Sequence, residues 1–269
     1  MIGSIKTTPM ESCIHIMLAA ASPLQQVLDK PGFTHEFCNR QALAILRNDG
    51  LEKYSDILAS FEEELNLGVY WADKDWKNVN HYFEPHTRKG LWNFNNAIDT
   101  FEMHYQYSMQ YLRQHDVKKS IFYLGAAAHL LQDLCVPHHA RAKLLYGHKA
   151  YEQWAQARCM DYKTATGGLY NEISSPKNLV IKNAEAAADF FDWVRYEGDA
   201  IFYGKVTSNL LPLAQRSTAG LFLSFAQELS RVVSIRQSFD CLSVRSRLAP
   251  ELLTLNSAVG KTLTASSIR

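Results

Sequence analysis

Apolar residues recur along this chain at a spacing near 3.6, the period of an amphipathic helix. From Glu36 to Leu46 they fall at Phe37, Cys38, Ala42, Leu43 and Leu46, and Asn48-Asp49-Gly50 is a helix stop. From Tyr54 to Leu67 they fall at Ile57, Leu58, Phe61 and Leu65, with Gly68 as the expected terminus. An aromatic-rich helix is predicted over Asn93 to Gln114. Asp116 reads as the N-cap of another, which runs to Cys135 and is stopped by Pro137. Further helices are predicted over Lys149 to Asp161, Ala184 to Phe202 and Ser208 to Val233. Val69 to Leu91 and Thr164 to Lys177 read as non-helical. No alternation is long enough for a sheet. The expectation is an all-α, single compact multi-helix domain over residues 31–240. Residues 1–30 form an N-terminal segment, a signal or processed region, and 241–269 a C-terminal tail with no separate lipid-binding domain.

Composition narrows the class. The 269 residues are 47% apolar and 20% charged, enough to bury a sizeable core. Lys plus Arg number 28 against 27 Asp plus Glu, so binding nucleic acid by bulk positive charge is not expected. The longest apolar stretch, Ile121 to Leu131, is interrupted by Gly125 and His129 and falls short of the ~18 residues a membrane span needs. Five cysteines without a C-x-x-C pair do not form a disulfide framework. The apolar run Cys13 to Ala21 after Lys6 fits either an export signal or a buried amphipathic helix. A secreted or extracytoplasmic location is the expectation, and a cytoplasmic one the alternative.

Four of the ten histidines fall between His129 and His148. His129 and Asp133 stand at i and i+4, on one helix face and within reach of one ion. His148 and Glu152 repeat the arrangement, and Val136-Pro-His138-His139 lies between the pairs. An isolated pair of this kind is ordinarily a surface hydrogen bond. The segment around His129 and Asp133 is almost wholly apolar, however, and a buried carboxylate costs several kcal/mol unless paired or metal-bound. A purely structural buried network is the competing reading. Upstream, Asp73 and His81 stand in an aromatic-flanked loop, and His35 opens a helix. His86, His104 and His115 have no acid at ligand spacing and read as surface residues. Phe101, Tyr105, Tyr107 and Tyr111 read as helix packing.

The set Thr34-His35-x5-Gln41, Asp73, His81-Tyr82-Phe83-x-Pro85, His129-x3-Asp133-x5-His139 and His148-x3-Glu152 resembles the bacterial zinc-dependent phospholipase C family. The same metal cluster occurs in single-strand-specific zinc nucleases. The resemblance implies two or three Zn2+ per chain. Asp73, His81, His129 and Asp133 would hold the first, and His139, His148 and Glu152 the second. His35, with Asp133 bridging, would share the third with an N-terminal tryptophan. His139 stands six residues after Asp133 as the family pattern requires, which leaves His138 behind the ligands or at the surface. The resemblance also implies a phospholipid substrate, cleaved to diacylglycerol and a phosphorylated headgroup, with peripheral membrane contact at most. Asp73 would be ligand and general base, with Trp76, Tyr82 and Phe83 at the substrate. The chain departs from the pattern in having no Trp before Trp71 and Lys74 directly after Asp73. A single-strand nuclease and a non-catalytic zinc-binding relative are the alternatives.

Overall fold

The computed structural model describes residues 32–263 apart from 93, 172–174 and 197; at 76 and 234–263 it describes the backbone only. The N-terminal segment read as a signal or processed region lies outside the described residues. Ten α-helices are described: α1 (Phe33–Asn48), α2 (Glu52–Ala59), α3 (Glu62–Ala72), α4 (Ala97–Arg113), α5 (Val117–Asp133), α6 (Pro137–Ala140), α7 (His148–Arg158), α8 (Pro176–Ala188), α9 (Phe191–Val194) and α10 (Ala200–Leu263). Two 3-10 turns, Asp75–Asn80 and Cys159–Tyr162, join them. Among the described residues the only β pairing is an isolated bridge between Glu84 and Lys89, so the protein is all-α. The chain divides into two compact units, Met1–Ala226 and Gln227–Arg269. The site and every contact described below belong to the first.

Local chemistry sets the helix ends. α1 closes on Gly50, whose φ of 80° only glycine adopts freely. There the Gly50 N–H donates to Arg47 O and the Leu51 N–H to Leu46 O, which satisfies the last carbonyls. The Asp116 carboxylate accepts from Lys119 N at 3.2 Å and caps α5. Where one helix was expected over Tyr54 to Leu67, there are two. Phe61 N–H turns back to Leu58 O, and Glu62-Glu63-Glu64 begin α3, where three carboxylates favour a helix N-terminus. The expected helix from Ala184 to Phe202 is also broken. Pro176, at the first position of α8, starts that helix earlier. Gly198, at φ 99°, ends the stretch, and Asp199 Oδ1 caps α10 by accepting from Ile201 N and Phe202 N. α10 then runs past the expected end at Val233 to Leu263.

α5 is the central helix. Its residues from Leu124 to Asp133 are all buried, which a helix apolar on nearly every side requires. It crosses α3 at two glycines. A Cβ on Gly68 would lie 1.9 Å from Phe122 O, and one on Gly125 1.9 Å from Leu65 O. Gly68 therefore is not a helix stop but the point where two backbones touch. The crossing brings the C-terminal end of α3, with Asp73, toward the helix that carries His129 and Asp133. Gly125→Ala is expected to lower stability by about 2–3 kcal/mol, because backbone rather than a movable side chain occupies the space. Urea unfolding checks this; a loss below about 0.5 kcal/mol would mean the helices part without strain. Cys38, Cys135 and Cys159 are buried free thiols; the other two cysteine side chains lie outside the described residues.

Candidate metal centre

Asp133 is the hub. It sits on the last turn of α5 at 4% exposure, with His129 one turn earlier at 1%. His129 Nε2 lies 3.2 Å from Asp133 Oδ2. His81, at the end of the Asp75–Asn80 turn, brings Nδ1 to 2.8 Å from the same oxygen, and His139 of α6 brings Nδ1 to 3.8 Å. On the other side His35, in the first turn of α1, places Nε2 3.4 Å from Asp133 Oδ1 and stacks on His129 with ring centroids 4.0 Å apart. A second cluster adjoins. Glu152 Oε1 lies 2.9 Å from His148 Nε2 and 3.4 Å from His139 Nε2.

Among the described residues, ligand-type atoms thus gather into three groups: His35, His129 and Asp133; Asp73, His81 and His129; and His139, His148 and Glu152. In each, the atoms lie within 4.8 Å of one another. The first two groups share His129. All eight residues expected to bind metal are brought into these groups, from α1, the ends of α3 and α5, the turn before His81, α6 and α7.

Backbone carbonyls orient two of the rings. His139 Nδ1–H donates to His81 O at 3.1 Å, and His148 Nδ1–H to Leu144 O at 3.3 Å. With that proton on Nδ1, a neutral ring turns its Nε2 lone pair toward Glu152. His138 does not share this role. It is fully buried, gives its Nε2–H to Tyr146 O at 2.9 Å and stacks on His148 with centroids 4.7 Å apart, so it packs behind a candidate ligand. Tyr82 and Phe83, expected at the substrate, are only 3% and 2% exposed. Tyr82 lies flat against His139, 4.6 Å between centroids at 11°, and so braces that ring instead of lining an open pocket. The Trp76 side chain lies outside the described residues.

Charge in the cluster is finely divided. Burial pushes the Asp133 carboxyl up, yet His129 and His139 hold it well below its ordinary range. Burial lowers His139, but Asp133 and Glu152 raise it to about 9. Burial, followed by His129, brings His35 down to about 4. Burial likewise raises Glu152, but His148 and His139 outweigh it and keep it ionised. Asp133 and Glu152 are therefore anionic at neutral pH, and His35, beside Asp133, keeps a free lone pair.

The donor set fits zinc. Although two histidine nitrogens stand within 3.2 Å of Asp133 Oδ2, that buried atom has no partner in hydrogen-bond geometry, and His129 Nδ1 is unpartnered too. Groups that approach so closely without pointing at each other are arranged for a common ion. Imidazole nitrogens with carboxylate oxygens are the ligands zinc takes, and a divalent cation would neutralise the converging carboxylates.

Three other histidines complete the inventory among the described residues. His86 and His115 are exposed, as expected. His104 is not: it is 4% exposed on α4, with Trp71 and Tyr123 rings at 5.5 and 6.3 Å. Nothing in its local sequence separates it from a surface histidine.

Fold and site together define an all-helical protein with a histidine- and carboxylate-lined candidate metal centre. Residues 34–199 match the zinc-dependent phospholipase C family model, and the chain belongs to that family. Phospholipase C of Bacillus cereus is 28% identical over 146 residues, which are 49% of this chain and 52% of that protein. The chain thus spans about half the length of this relative. Among solved structures, the alpha toxin of Clostridium absonum superposes with a TM-score of 0.67 at 20% identity, covering 75% of this chain and 65% of the toxin. The alpha-toxin of an avian Clostridium perfringens strain gives 0.64 at 21%, covering 76% and 66%. At these identities the toxins speak for the fold alone.

Proposed function

We propose that this chain is a zinc-dependent phosphodiesterase that cleaves phospholipids to diacylglycerol and a phosphorylated headgroup. One observation carries the reading: three contiguous groups of ligand atoms meet around a buried Asp133. In this proposal Asp73, His81, His129 and Asp133 hold one zinc, His139, His148 and Glu152 a second, and His35 with Asp133 a third. Bound zinc supplies Lewis acidity toward phosphoryl oxygens and lowers the pKa of water toward ~7.

The remaining work belongs to the chain's own residues. Asp73, half-buried at the end of α3, can be reached by water and is assigned to orient the attacking water and accept its proton. Asp133 couples the groups and fixes their spacing. Tyr82 and His138 brace the rings of His139 and His148, so the ligands need little rearrangement when substrate enters.

Two surface features favour lipid over nucleic acid as the substrate. Leu145 and Tyr146, just before His148, are 72% and 61% exposed, and Gly147 abuts the backbone of Val194 and Arg195. Tyr196 and Ile201, a few residues on, are also exposed, so apolar surface lies beside the second group of ligands. A near-neutral chain also lacks the charge that phosphate-backbone binding uses. Peripheral contact with lipid is part of the proposal: among the described residues, no helix is long and apolar enough to cross a membrane. So is an extracytoplasmic location.

The test is hydrolysis of a dispersed short-chain phosphatidylcholine by purified protein of measured zinc content. Release of the phosphorylated headgroup, abolished by EDTA and restored by zinc, is the expected result. Cleavage of single-stranded DNA without lipid hydrolysis would overturn the substrate, and stoichiometric zinc with no phosphodiester cleavage would overturn the enzyme.

A further inference from the structure

His35 Nδ1 lies 2.8 Å from the Oε1 of Gln132, the residue immediately before Asp133 on α5. Gln132 is itself buried at 4% exposure, and its Nε2 donates to Asn39 Oδ1 at 3.0 Å and to Thr218 Oγ1 at 3.0 Å. Asn39 stands one turn after His35 on α1 and donates through Nδ2 to Asn66 Oδ1 at 3.1 Å. Thr218, on α10, uses its hydroxyl proton on the backbone oxygen of Ala214 at 2.7 Å.

The direction of the chain follows from donors and acceptors. A carbonyl oxygen can only accept, so the Thr218 hydroxyl donates to Ala214 and offers its lone pair to Gln132. That side of the Gln132 amide must be its NH2, which both neighbouring oxygens accept. The reverse orientation would set the Gln132 oxygen against Asn39 Oδ1 and force Asn39 and Asn66 to invert as well. With NH2 on that side, Oε1 faces His35 and takes the proton of Nδ1. The neutral ring then has its lone pair on Nε2, facing Asp133 Oδ1 at 3.4 Å. A lone pair and a carboxylate oxygen face each other favourably only with a cation between them.

We infer that Gln132, anchored by Thr218, is a positioning residue that fixes the tautomer of His35 and turns its Nε2 toward a cation shared with Asp133. The inference rests on the proposed function in taking that cation to be zinc. In sequence Gln132 is a spacer inside His129-Leu-Leu-Gln-Asp133, and Thr218 lies 86 residues away from it. Both contribute through hydrogen bonds to the ligand; neither would touch the metal. Partners of this kind commonly change metal affinity about 10–100-fold.

The test combines tautomer and affinity. Long-range 1H–15N NMR of imidazole-labelled, metal-free protein should show His35 protonated on Nδ1 in the wild type and in Thr218→Ser, which keeps the hydroxyl. Thr218→Val and Gln132→Met should populate the Nε2–H form. In chelator competition their weakest zinc site should lose about 10–100-fold in affinity, while the others stay within about threefold. An Nε2–H tautomer in the wild type overturns the inference without recourse to any variant. So does unchanged zinc affinity in a folded Gln132→Met, or a loss in Thr218→Ser as large as in Thr218→Val. His35→Ala separates this from the wider reading. If it keeps full zinc content while wild-type His35 carries its proton on Nδ1, the third metal assignment fails and the hydrogen-bond assignment stands.

Discussion

Asp133→Asn is expected to remove zinc from more than one position and to abolish the stabilisation that zinc confers. The geometry dictates the size of the effect. Oδ2 lies within 3.2 Å of nitrogens on His81 and His129, and Oδ1 within 3.4 Å of His35, so one carboxylate reaches two of the three proposed zinc positions. An amide of the same shape retains a single, neutral oxygen acceptor and places an NH2, a non-ligand, where the other oxygen stood. Binding energy at such a site is also folding energy. The wild-type protein should therefore melt at a clearly lower temperature in EDTA, while Asp133→Asn melts at nearly the same temperature with or without the chelator. Metal analysis after dialysis against a dilute chelator should give at least one zinc fewer per chain. Wild-type metal content in the variant would mean that Asp133 is not a ligand, and the proposed function would lose its centre. The group of His139, His148 and Glu152 does not include Asp133, and residual zinc there is the internal control.

What the sequence could reveal about this centre divides along the range of the forces involved. The i, i+4 pairs on α5 and α7 were legible because helical spacing alone puts His129 with Asp133 and His148 with Glu152. The stop at Gly50 and the cap at Asp116 were legible for the same local reason. Gly68 was misread because glycine serves both as a helix terminator and as the residue of close helix crossing, and only the partner backbone at Phe122 distinguishes them. The division of the expected Tyr54–Leu67 helix depended on a reverse turn at Phe61 that competes with an otherwise continuous apolar period. The bonds from Gln132 to His35 and Thr218 span 97 and 86 residues, so no spacing rule reaches them. Nor does any local signal mark His104 as buried: tertiary packing by Trp71 and Tyr123 decides that.

His104 and His138 are expected to make the metal-free protein steeply sensitive to mild acid. Burial, reinforced by His81 and His129, lowers His104 to about 4. Burial, then His148, lowers His138 to about 4 as well. Each also has a buried Nδ1 without a partner, so no neighbour awaits a second proton. Unfolding returns both rings to the ordinary value near 6.5. Below that pH the unfolded chain binds protons that the native protein refuses, so stability falls as pH drops from ~6.5 toward about 4. Below about 4 the native rings protonate too and this contribution levels off. The span corresponds to about 2–3 kcal/mol for each ring at its lower end. His139, raised to about 9, has the opposite sign: its contribution is fully present below ~6.5 and is lost as pH rises through about 9. The two effects are separable by substitution. His104→Phe keeps an aromatic ring between Trp71 and Tyr123 and removes the titration, while the carboxylates and other imidazoles titrate in both proteins and cancel in the difference. Urea unfolding in EDTA at pH 7.5, 6, 5 and 4 should show the variant gaining on the wild type by about 2–3 kcal/mol across that range. Parallel curves would mean that His104 takes up its proton in the folded state, and that its place among the rings is open to water.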